Sequence, residues 1–143
     1  MIDSNERPLT GGCQCGSVRY EIGAEPLNLY ACHCKQCRKQ SGSSFGLSLI
    51  VPAKSFKLTA GTPKSWTRPT AQGSEMTCWF CPDCGSRIYH QSSSWPDEIS
   101  VKGGTVDQPV EAGAAIHIWT SHGLPSTPIP VGATTFPFEP PGS

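Results

Sequence analysis

The sequence predicts a mainly β domain of short strands that is held together by metal-binding thiols. Two observations predict the strands. Apolar residues alternate with polar ones over short segments, and 15 Gly and 14 Pro residues among 143 separate these segments. A third observation predicts the metal, because seven of the eight cysteines are clustered. The clusters are Cys13 with Cys15; Cys32 with Cys34 and Cys37; and Cys81 with Cys84.

Strands are predicted wherever this alternation occurs, because every second side chain of a strand faces the same side of its sheet. In the first half of the chain the apolar positions are Val18, Tyr20 and Ile22; Leu27, Leu29 and Ala31; Phe45, Leu47, Leu49 and Val51; and Phe56 and Leu58. The residues before Cys13 read as a polar lead-in. Arg38 to Ser44 reads as a polar turn with room for one helical turn that starts near Cys34. The second strand runs into Cys32, so the sheet is expected to hold that cluster rigidly.

The second half of the chain repeats the pattern, and its apolar positions are Trp66; Met76, Cys78 and Phe80; Ile88; Ile99 and Val101; and Ile116 and Ile118. Cys78 lies on an apolar strand face, which predicts a buried, inert thiol rather than a ligand. From Pro125 onward, six of the fourteen prolines fall within nineteen residues, so this tail is expected to run along the surface or to be disordered. We therefore predict an N-terminal extension at 1–8, one domain at 9–124 and a Pro-rich tail at 125–143.

Charge and hydropathy exclude several classes of function. Eleven basic and eleven acidic residues cancel, so no overall field attracts nucleic acid or an anionic membrane. No apolar run reads as a signal peptide or a membrane span. We expect a protein of the cytoplasm that binds neither nucleic acid nor membrane. In that reducing compartment thiols hold metal or react, although the even number of cysteines also allows a framework of disulfides.

The spacing of the thiols favours zinc, which takes four ligands in a tetrahedron with sulfur at about 2.3 Å. Cys81 and Cys84 form the strongest signal, a Cys-x-x-Cys turn followed by Gly85, which can adopt the positive φ of a tight turn. Three thiols on one ion would leave a position open for water or substrate. The residues themselves leave two divisions open: Cys34 and Cys37 with Cys81 and Cys84, or Cys13 and Cys15 with Cys81 and Cys84, which leaves Cys32, Cys34 and Cys37 together.

Three motifs carry a resemblance to a known family. They are Gly12-Cys13-Gln14-Cys15-Gly16, Cys32-His33-Cys34-Lys35-Gln36-Cys37-Arg38 with Ser41-Gly42, and Phe80-Cys81-Pro82-Asp83-Cys84-Gly85-Ser86. Weaker matches are Gly104-Thr105-Val106-Asp107 and His117-Ile118. With all seven thiols in order from Leu9 to Trp119, the chain resembles the glutathione-dependent formaldehyde-activating enzyme (GFA) family, whose domain also occurs in centromere protein V.

This resemblance implies a β-tent type of fold, in which short antiparallel strands surround a structural zinc. It also implies two zinc ions per chain, the second of them catalytic and open to loss or displacement. The implied ligands are Cys13, Cys15, Cys81 and Cys84 for the structural zinc and Cys32, Cys34 and Cys37 for the catalytic zinc. The implied reaction joins formaldehyde to glutathione to give S-hydroxymethylglutathione, which is a carbon–sulfur lyase reaction written in reverse. A small thiol such as glutathione and a small aldehyde are therefore the expected partners.

A zinc with three thiolates and an open position suits this reaction, because the metal deprotonates a thiol at neutral pH and the thiolate attacks the aldehyde carbon. Polarisation of the aldehyde oxygen by zinc is the other route. Three thiolates make the zinc a weak Lewis acid, which favours delivery of the substrate thiolate over activation of water. The alternative function is a zinc-stabilised binding or scaffold domain without turnover.

Other side chains are secondary candidates. His33 lies between two ligand positions, so in an extended segment its ring points away from the metal. His90 and His117 are expected to be sheet histidines rather than general bases. The basic side chains that can meet the carboxylates of glutathione, or simply remain solvated, are Lys35, Arg38 and Arg87. The tryptophans that form either an aromatic wall or part of the core are Trp66, Trp79, Trp95 and Trp119.

Overall fold

The fold is mainly β, as the alternating pattern predicts. The computed structural model describes residues 7–141, so most of the predicted extension at 1–8 lies outside the described residues. The strands are Leu9–Gly12 (β1), Arg19–Ile22 (β2), Asn28–Cys32 (β3), Gly46–Pro52 (β4), Phe56–Ala60 (β5), Lys64–Pro69 (β6), Glu75–Phe80 (β7), Arg87–Ser92 (β8), Glu98–Lys102 (β9) and Ile116–Ile118 (β10). The helices are the α-helix Lys35–Ser41 (α1) and the 3-10 turns Ala53–Ser55, Gly103–Thr105, Ala112–Ala114 and Thr120–His122.

Two sheets divide the strands. A three-stranded sheet has the order β1-β2-β5, and a seven-stranded sheet has the order β10-β3-β4-β9-β8-β7-β6. Neighbouring strands are antiparallel except β10 and β3, which pair in parallel with Ile118 beside Cys32. Because β3 and β4 lie near one end of the large sheet and β7 and β8 near the other, this order places the middle cysteine cluster and the last one on different strand pairs.

The apolar core joins the two sheets. Phe56 of the small sheet stacks on Tyr20 at a ring separation of 5.1 Å and lies 4.5 Å from the ring of Tyr89 in the large sheet. Leu49 and Val101, which are partners in β4 and β9, are fully buried on the same side. Each such side chain contributes about 1.5–3 kcal/mol of hydrophobic stabilisation. The inward positions are therefore largely those that the alternation predicts.

The polar lead-in predicted before Cys13 is wrong for Leu9–Gly12, which forms β1 and pairs with β2. Leu9 is fully buried, but a strand with one large apolar residue shows no alternation. Gly11 is required by packing, since a Cβ built on it would lie 2.3 Å from the hydroxyl oxygen of Tyr20. The alternating pattern did not predict this strand, because its pairing with β2 and not its own composition defines it.

The helix is longer than the single turn that the sequence suggests. Helix α1 covers Lys35–Ser41, and Cys34 caps it by accepting a hydrogen bond from the N–H of Cys37 at 3.4 Å. Gly42 ends the helix in the left-handed conformation with φ 60°, and its N–H donates to the carbonyl of Arg38. The cap at Cys34 is a thiol rather than the usual hydroxyl or carboxylate, so the start signal is unconventional.

The Pro-rich tail runs along β10. The N–H of His117 donates to the carbonyl of Thr134 at 2.9 Å, and the N–H of Phe136 donates to the carbonyl of His117 at 2.8 Å. The N–H of Trp119 donates to the carbonyl of Phe138 at 3.2 Å. The tail thus occupies the free edge of the large sheet. Within residues 7–141, no helix has the length and apolar character needed to cross a membrane.

Deletion of residues 131–143 is expected to lower the free energy of unfolding by about 2 kcal/mol, since the backbone hydrogen bonds that join the tail to His117 and Trp119 each contribute about 1 kcal/mol. Urea unfolding followed by circular dichroism measures the change. Deletion of 140–143 is the control, because the hydrogen-bonded tail residues remain. Equal stability of the two truncated proteins would show that the tail does not support β10.

Candidate functional site

One group of four thiols has all its sulfur atoms within 4.8 Å of one another, and its members are Cys13, Cys15, Cys81 and Cys84. The first two follow β1, and the last two lie in the turn between β7 and β8. This turn is closed by the N–H of Gly85, which donates to the carbonyl of Cys81 at 2.9 Å. Gly85 has φ +79°, a conformation that glycine adopts without steric cost. The fold thus brings together four sulfur atoms from two segments that lie 66 residues apart, as Cys15 and Cys81 do.

The sulfur separations fit a tetrahedral ion. A metal–sulfur bond of about 2.3 Å places two ligand sulfurs about 3.8 Å apart in a tetrahedron. The Sγ of Cys15 lies 3.6 Å from that of Cys13 and 3.7 Å from that of Cys81. Backbone N–H groups face these sulfurs, since Val18 donates to Cys13 at 3.2 Å and Asp83 donates to Cys81 at 3.4 Å. The four thiols can therefore hold a metal ion.

Hydroxyl groups support the same cluster. The Oγ of Ser17 lies 3.2 Å from the Sγ of Cys15 and 3.3 Å from that of Cys81, and the Oγ of Ser86 lies 3.3 Å from the Sγ of Cys84. Hydrogen bonds from the hydroxyl and the backbone N–H of Ser86 lower the pKa of Cys84 to about 5. The cluster therefore contains a thiolate at neutral pH, which is the form that binds metal.

The second group consists of three thiols whose sulfur atoms also lie within 4.8 Å of one another, and its members are Cys32, Cys34 and Cys37. Cys32 ends β3, Cys34 is the N-cap of α1, and Cys37 lies in the first turn of that helix. Residues three apart at a helix start project to the same side, which brings the last two sulfurs together. Among the described residues, no fourth Cys, His or carboxylate joins this group.

Hydrogen bonds among the three thiols of the second group shift their pKa values. Hydrogen bonds from Cys32 and Cys37 lower the pKa of Cys34 to about 2. The contacts with Cys34 and Cys37 raise the pKa of Cys32. Although the contact with Cys32 lowers it, the contact with Cys34 and burial raise the pKa of Cys37 to about 11. Cys34 is therefore the thiolate of this group, and Cys32 and Cys37 keep their protons. A bound cation would release those two protons.

A cavity of about 360 Å³ is lined by residues that neighbour both groups of thiols, although no thiol lines it. Its lining includes Gln40 and Ser41, at the end of α1, and Ser86 and Arg87, just after the Cys84 turn. Lys102, at the end of β9, lines it as well. The cavity lies within the size range of small-molecule sites.

Lys102 places a basic side chain near the second group. Its Nζ donates to the Oγ of Ser48, its partner across β4 and β9, at 3.2 Å. Burial lowers the pKa of Lys102, while electrostatic interactions with Cys37, Cys78 and Cys32 act against this shift. Lys102 therefore lines the cavity close enough to the second group to interact with the charge of its sulfur atoms.

Gly46 lines the cavity and lies next to the second group. It pairs with Cys32 across β3 and β4. A Cβ built on Gly46 would lie 2.9 Å from the Nε2 of Gln40 and 3.3 Å from the Cβ of Cys37. Only a residue without a side chain lets α1 approach β4 this closely.

Gly46→Ala is therefore expected to displace Cys37 or Gln40 and to weaken metal binding at the second group about 10-fold, the effect of roughly 1.4 kcal/mol of overpacking. Metal affinity measured by competition with a chromogenic chelator tests this. Gly113→Ala is the control, since a Cβ there meets no atom within 4 Å. Unchanged metal affinity in Gly46→Ala would contradict this prediction, because it would mean that α1 accommodates the extra methyl group without displacing the thiols.

The histidines lie outside both groups of thiols. His33 is buried, and its Nε2 lies 2.8 Å from the Nδ1 of His117, which is also buried. Burial lowers the pKa of both rings, so the pair is neutral at pH 7 and one ring donates to the other. The Nε2 of His90 lies 3.3 Å from the Nη1 of Arg87, and burial lowers the pKa of His90 to about 2. None of the three is arranged to take a proton in the cavity.

The predicted aromatic wall is absent from the cavity. Trp79 stacks on Tyr89 with ring centroids 4.6 Å apart, and Trp119 packs against the tail. Trp66 and Trp95 are exposed. The tryptophans are thus dispersed over the described part of the chain.

The basic side chains and Cys78 lie at different places in the fold. Arg87 lines the cavity, Arg38 lines a second depression of about 480 Å³, and Lys35 is exposed. Cys78 is fully buried on β7, outside both groups of thiols. The sequence analysis missed two cavity residues, Gln40 and Lys102, because neither belongs to a motif. For Lys102 the available signal was its position at a strand end, directly before two glycines.

Known proteins resemble this chain over most of its length. The family model described as glutathione-dependent formaldehyde-activating enzyme matches residues 8–122. The chain belongs to the GFA family. The match covers every thiol of both groups.

Individual relatives are more distant. A Sordaria macrospora protein is 26% identical over 88 residues, which are 57% of this chain and 36% of the relative. A Penicillium rubens protein is 28% identical over 98 residues, which are 62% of this chain and 50% of the relative. Both are provisionally named glutathione-dependent formaldehyde-activating enzyme. The matches thus span between about a third and a half of these relatives' lengths.

Among solved structures, the fold is similar to that of a Rhodobacter sphaeroides protein with a TM-score of 0.56 and 24% identity. The match covers 71% of this chain and 91% of that one. At this identity the similarity describes the fold alone.

Proposed function

We propose that this GFA-family chain is a zinc-dependent carbon–sulfur lyase that acts on the adduct of a small aldehyde, such as formaldehyde, with a thiol of the glutathione type. The observation that carries the proposal is the second group of thiols. Cys32, Cys34 and Cys37 offer three ligands beside a cavity rather than four ligands in a closed site. Sites of this open kind are catalytic, whereas closed four-ligand sites are structural.

In this proposal the ligands are divided as the two groups suggest. Cys13, Cys15, Cys81 and Cys84 hold a structural zinc, and Cys32, Cys34 and Cys37 hold a catalytic one. When bound, the catalytic zinc supplies an open coordination position at which a substrate thiol loses its proton at neutral pH. The donor set fits, since thiolates are preferred zinc ligands.

The chain's own residues supply the remaining functions. Cys34 is already a thiolate at neutral pH, and α1 and β3 fix the directions of all three sulfurs. Three thiolates and one Zn²⁺ leave a single negative charge, which favours the ammonium form of the nearby Lys102 against the effect of burial. In the synthetic direction the substrate thiol releases its proton to solvent, a carbon–sulfur bond forms between its sulfur and the aldehyde carbon, the carbonyl π-bond breaks, and the oxygen takes a proton from solvent.

The same reasoning extends to location and organisation. We propose the cytoplasm, because the two groups of thiols and a free thiol substrate all need a reducing compartment. We also propose that residues 9–124 are the zinc-binding domain and that 125–143 form its tail.

Zinc stoichiometry and turnover test the proposal together. Elemental analysis should give two zinc ions per chain. Exchange between glutathione and S-hydroxymethylglutathione in the presence of formaldehyde, followed by NMR at equilibrium, should exceed the rate without protein. Removal of the second zinc by a mild chelator should abolish the excess rate. Two zinc ions without any excess rate would instead favour a zinc-stabilised scaffold.

A further inference from the structure

Strand β6 forms one edge of the large sheet and leaves part of its backbone unpaired. It pairs with β7 alone, and every residue of β6 except Arg68 is exposed. The N–H of Thr70 donates to the carbonyl of Ser74 at 2.9 Å, and hydrogen-bonded pairs alternate along an antiparallel ladder. The N–H and C=O groups of Ser65 and Thr67 therefore point away from β7, toward a side where the described part of the chain places no strand.

The free part of this edge is short. Pro63 and Pro69 occupy the next alternate positions on either side, and proline has no N–H to donate. The open ladder between them, at Ser65 and Thr67, has room for one short extended segment. An exposed edge of this kind is a template for the addition of a strand from another chain.

The side chains on one side of β6 indicate which segment fits. Lys64, Trp66 and Arg68 alternate along the strand and so project to the same side; we call them the outer row. Trp66 is 52% exposed, and the guanidinium of Arg87 lies 5.8 Å from its ring centroid. Among residues 7–141, no carboxylate lies within ion-pair distance of Lys64, Arg68 or Arg87. The outer row thus presents an aromatic ring between two basic side chains that have no acidic partner.

Charge disfavours a second copy of this chain as the occupant of the edge. In an antiparallel pair of two β6 strands, the register that uses both open residues joins Ser65 of each copy to Thr67 of the other. This register places Lys64 of each copy opposite Arg68 of the other, and like charges directly opposite each other are destabilising. A strand with a carboxylate at each of these two positions would instead be attracted.

From this pattern we propose that the edge of β6 binds an extended acidic segment of a partner protein by strand addition. The segment has an apolar residue beside Trp66 and a carboxylate two positions away on each side, opposite Lys64 and Arg68. Main-chain hydrogen bonds to Ser65 and Thr67 supply affinity, and the outer row supplies specificity. This interaction goes beyond the proposed function.

The test uses a capped, fluorescent peptide with a central leucine, a threonine on each side of it and a glutamate beyond each threonine. Fluorescence anisotropy at low ionic strength measures its binding to the zinc-loaded protein. Replacement of both glutamates by lysine is expected to weaken binding by more than about 10-fold, since two attractive cross-strand pairs become repulsive. N-methylation of both threonines should also weaken it by more than about 10-fold, because their N–H groups face Ser65 and Thr67. N-methylation of the leucine should leave binding unchanged, because its N–H points away from β6.

Variants of the protein test the outer row. Lys64→Glu and Arg68→Glu are each expected to weaken binding of the glutamate peptide by about 5-fold, and the double variant should bind the lysine peptide more tightly than the native protein does. Lys54→Glu is the matched control, since it makes the same change of charge at an exposed residue in the turn between β4 and β5. It should bind both peptides like the native protein. Circular dichroism and zinc content should be native in all variants.

Several results would overturn the proposal. Absence of peptide binding, native affinity in both outer-row variants, or equal effects of N-methylation at threonine and leucine would each do so. A dimer in sedimentation that dissociates in Trp66→Ser would assign the edge to a second copy instead. Tighter binding of a single-stranded oligonucleotide than of the acidic peptide, lost in Trp66→Ser, would assign the outer row to nucleic acid.

Discussion

Cys81→Ser is expected to leave the chain unfolded or aggregated. Cys81 is fully buried, and its Sγ lies 3.7 Å from that of Cys15, which is 66 residues away. A metal at this group closes most of the domain into one loop. Apparent binding energies of about 10–16 kcal/mol for structural zinc match or exceed the whole stability of a typical domain, about 5–15 kcal/mol. Loss of one of the four ligands is therefore expected to cost as much free energy as the whole stability of the fold.

Circular dichroism and zinc analysis of purified Cys81→Ser measure this effect. Cys78→Ala is the matched control, because Cys78 is equally buried, lies on the preceding strand and is outside both groups of thiols. It should remain folded with its metal and lose about 1 kcal/mol for the small cavity created. Soluble, folded Cys81→Ser without zinc would contradict the assignment of the structural site.

Cys37→Ser is expected to remove the second zinc and the turnover while the fold survives. The three thiols of this group lie within six residues of one another, so the metal closes only a short loop and contributes little to folding. A serine hydroxyl is a poor replacement for a thiolate on zinc. We expect turnover to fall by more than about 100-fold, since even indirect disturbance of a zinc site costs 10- to 100-fold.

Elemental analysis should show one zinc per chain in Cys37→Ser against two in the native protein, with similar thermal unfolding curves. Gln36→Ala is the control, because Gln36 is the exposed neighbour of Cys37 on α1. It should keep both zinc ions and full turnover. Full turnover in Cys37→Ser would exclude the second group as the catalytic centre.

Local patterns predicted much of this molecule. Alternation at Tyr20 and Ile22, or at Leu49 and Val51, identifies strands because side-chain direction in a strand depends on sequence position alone. The spacing of Cys81 and Cys84 identifies candidate ligands because a Cys-x-x-Cys turn can direct both thiols to one ion. The alternating pattern did not predict β1, because this strand has one large apolar residue and is defined by its pairing with β2.

The sequence by itself therefore determined the fold class, the thiols and their family. The tertiary structure decided which distant cysteines share a site, since Cys13 and Cys15 meet Cys81 and Cys84 only after β1, β7 and β8 have taken their places. It also decided that Gln40, Arg87 and Lys102 line one cavity beside the second group. The physical reason is that strand pairing brings together residues far apart in the chain, and no local pattern records which strands will pair.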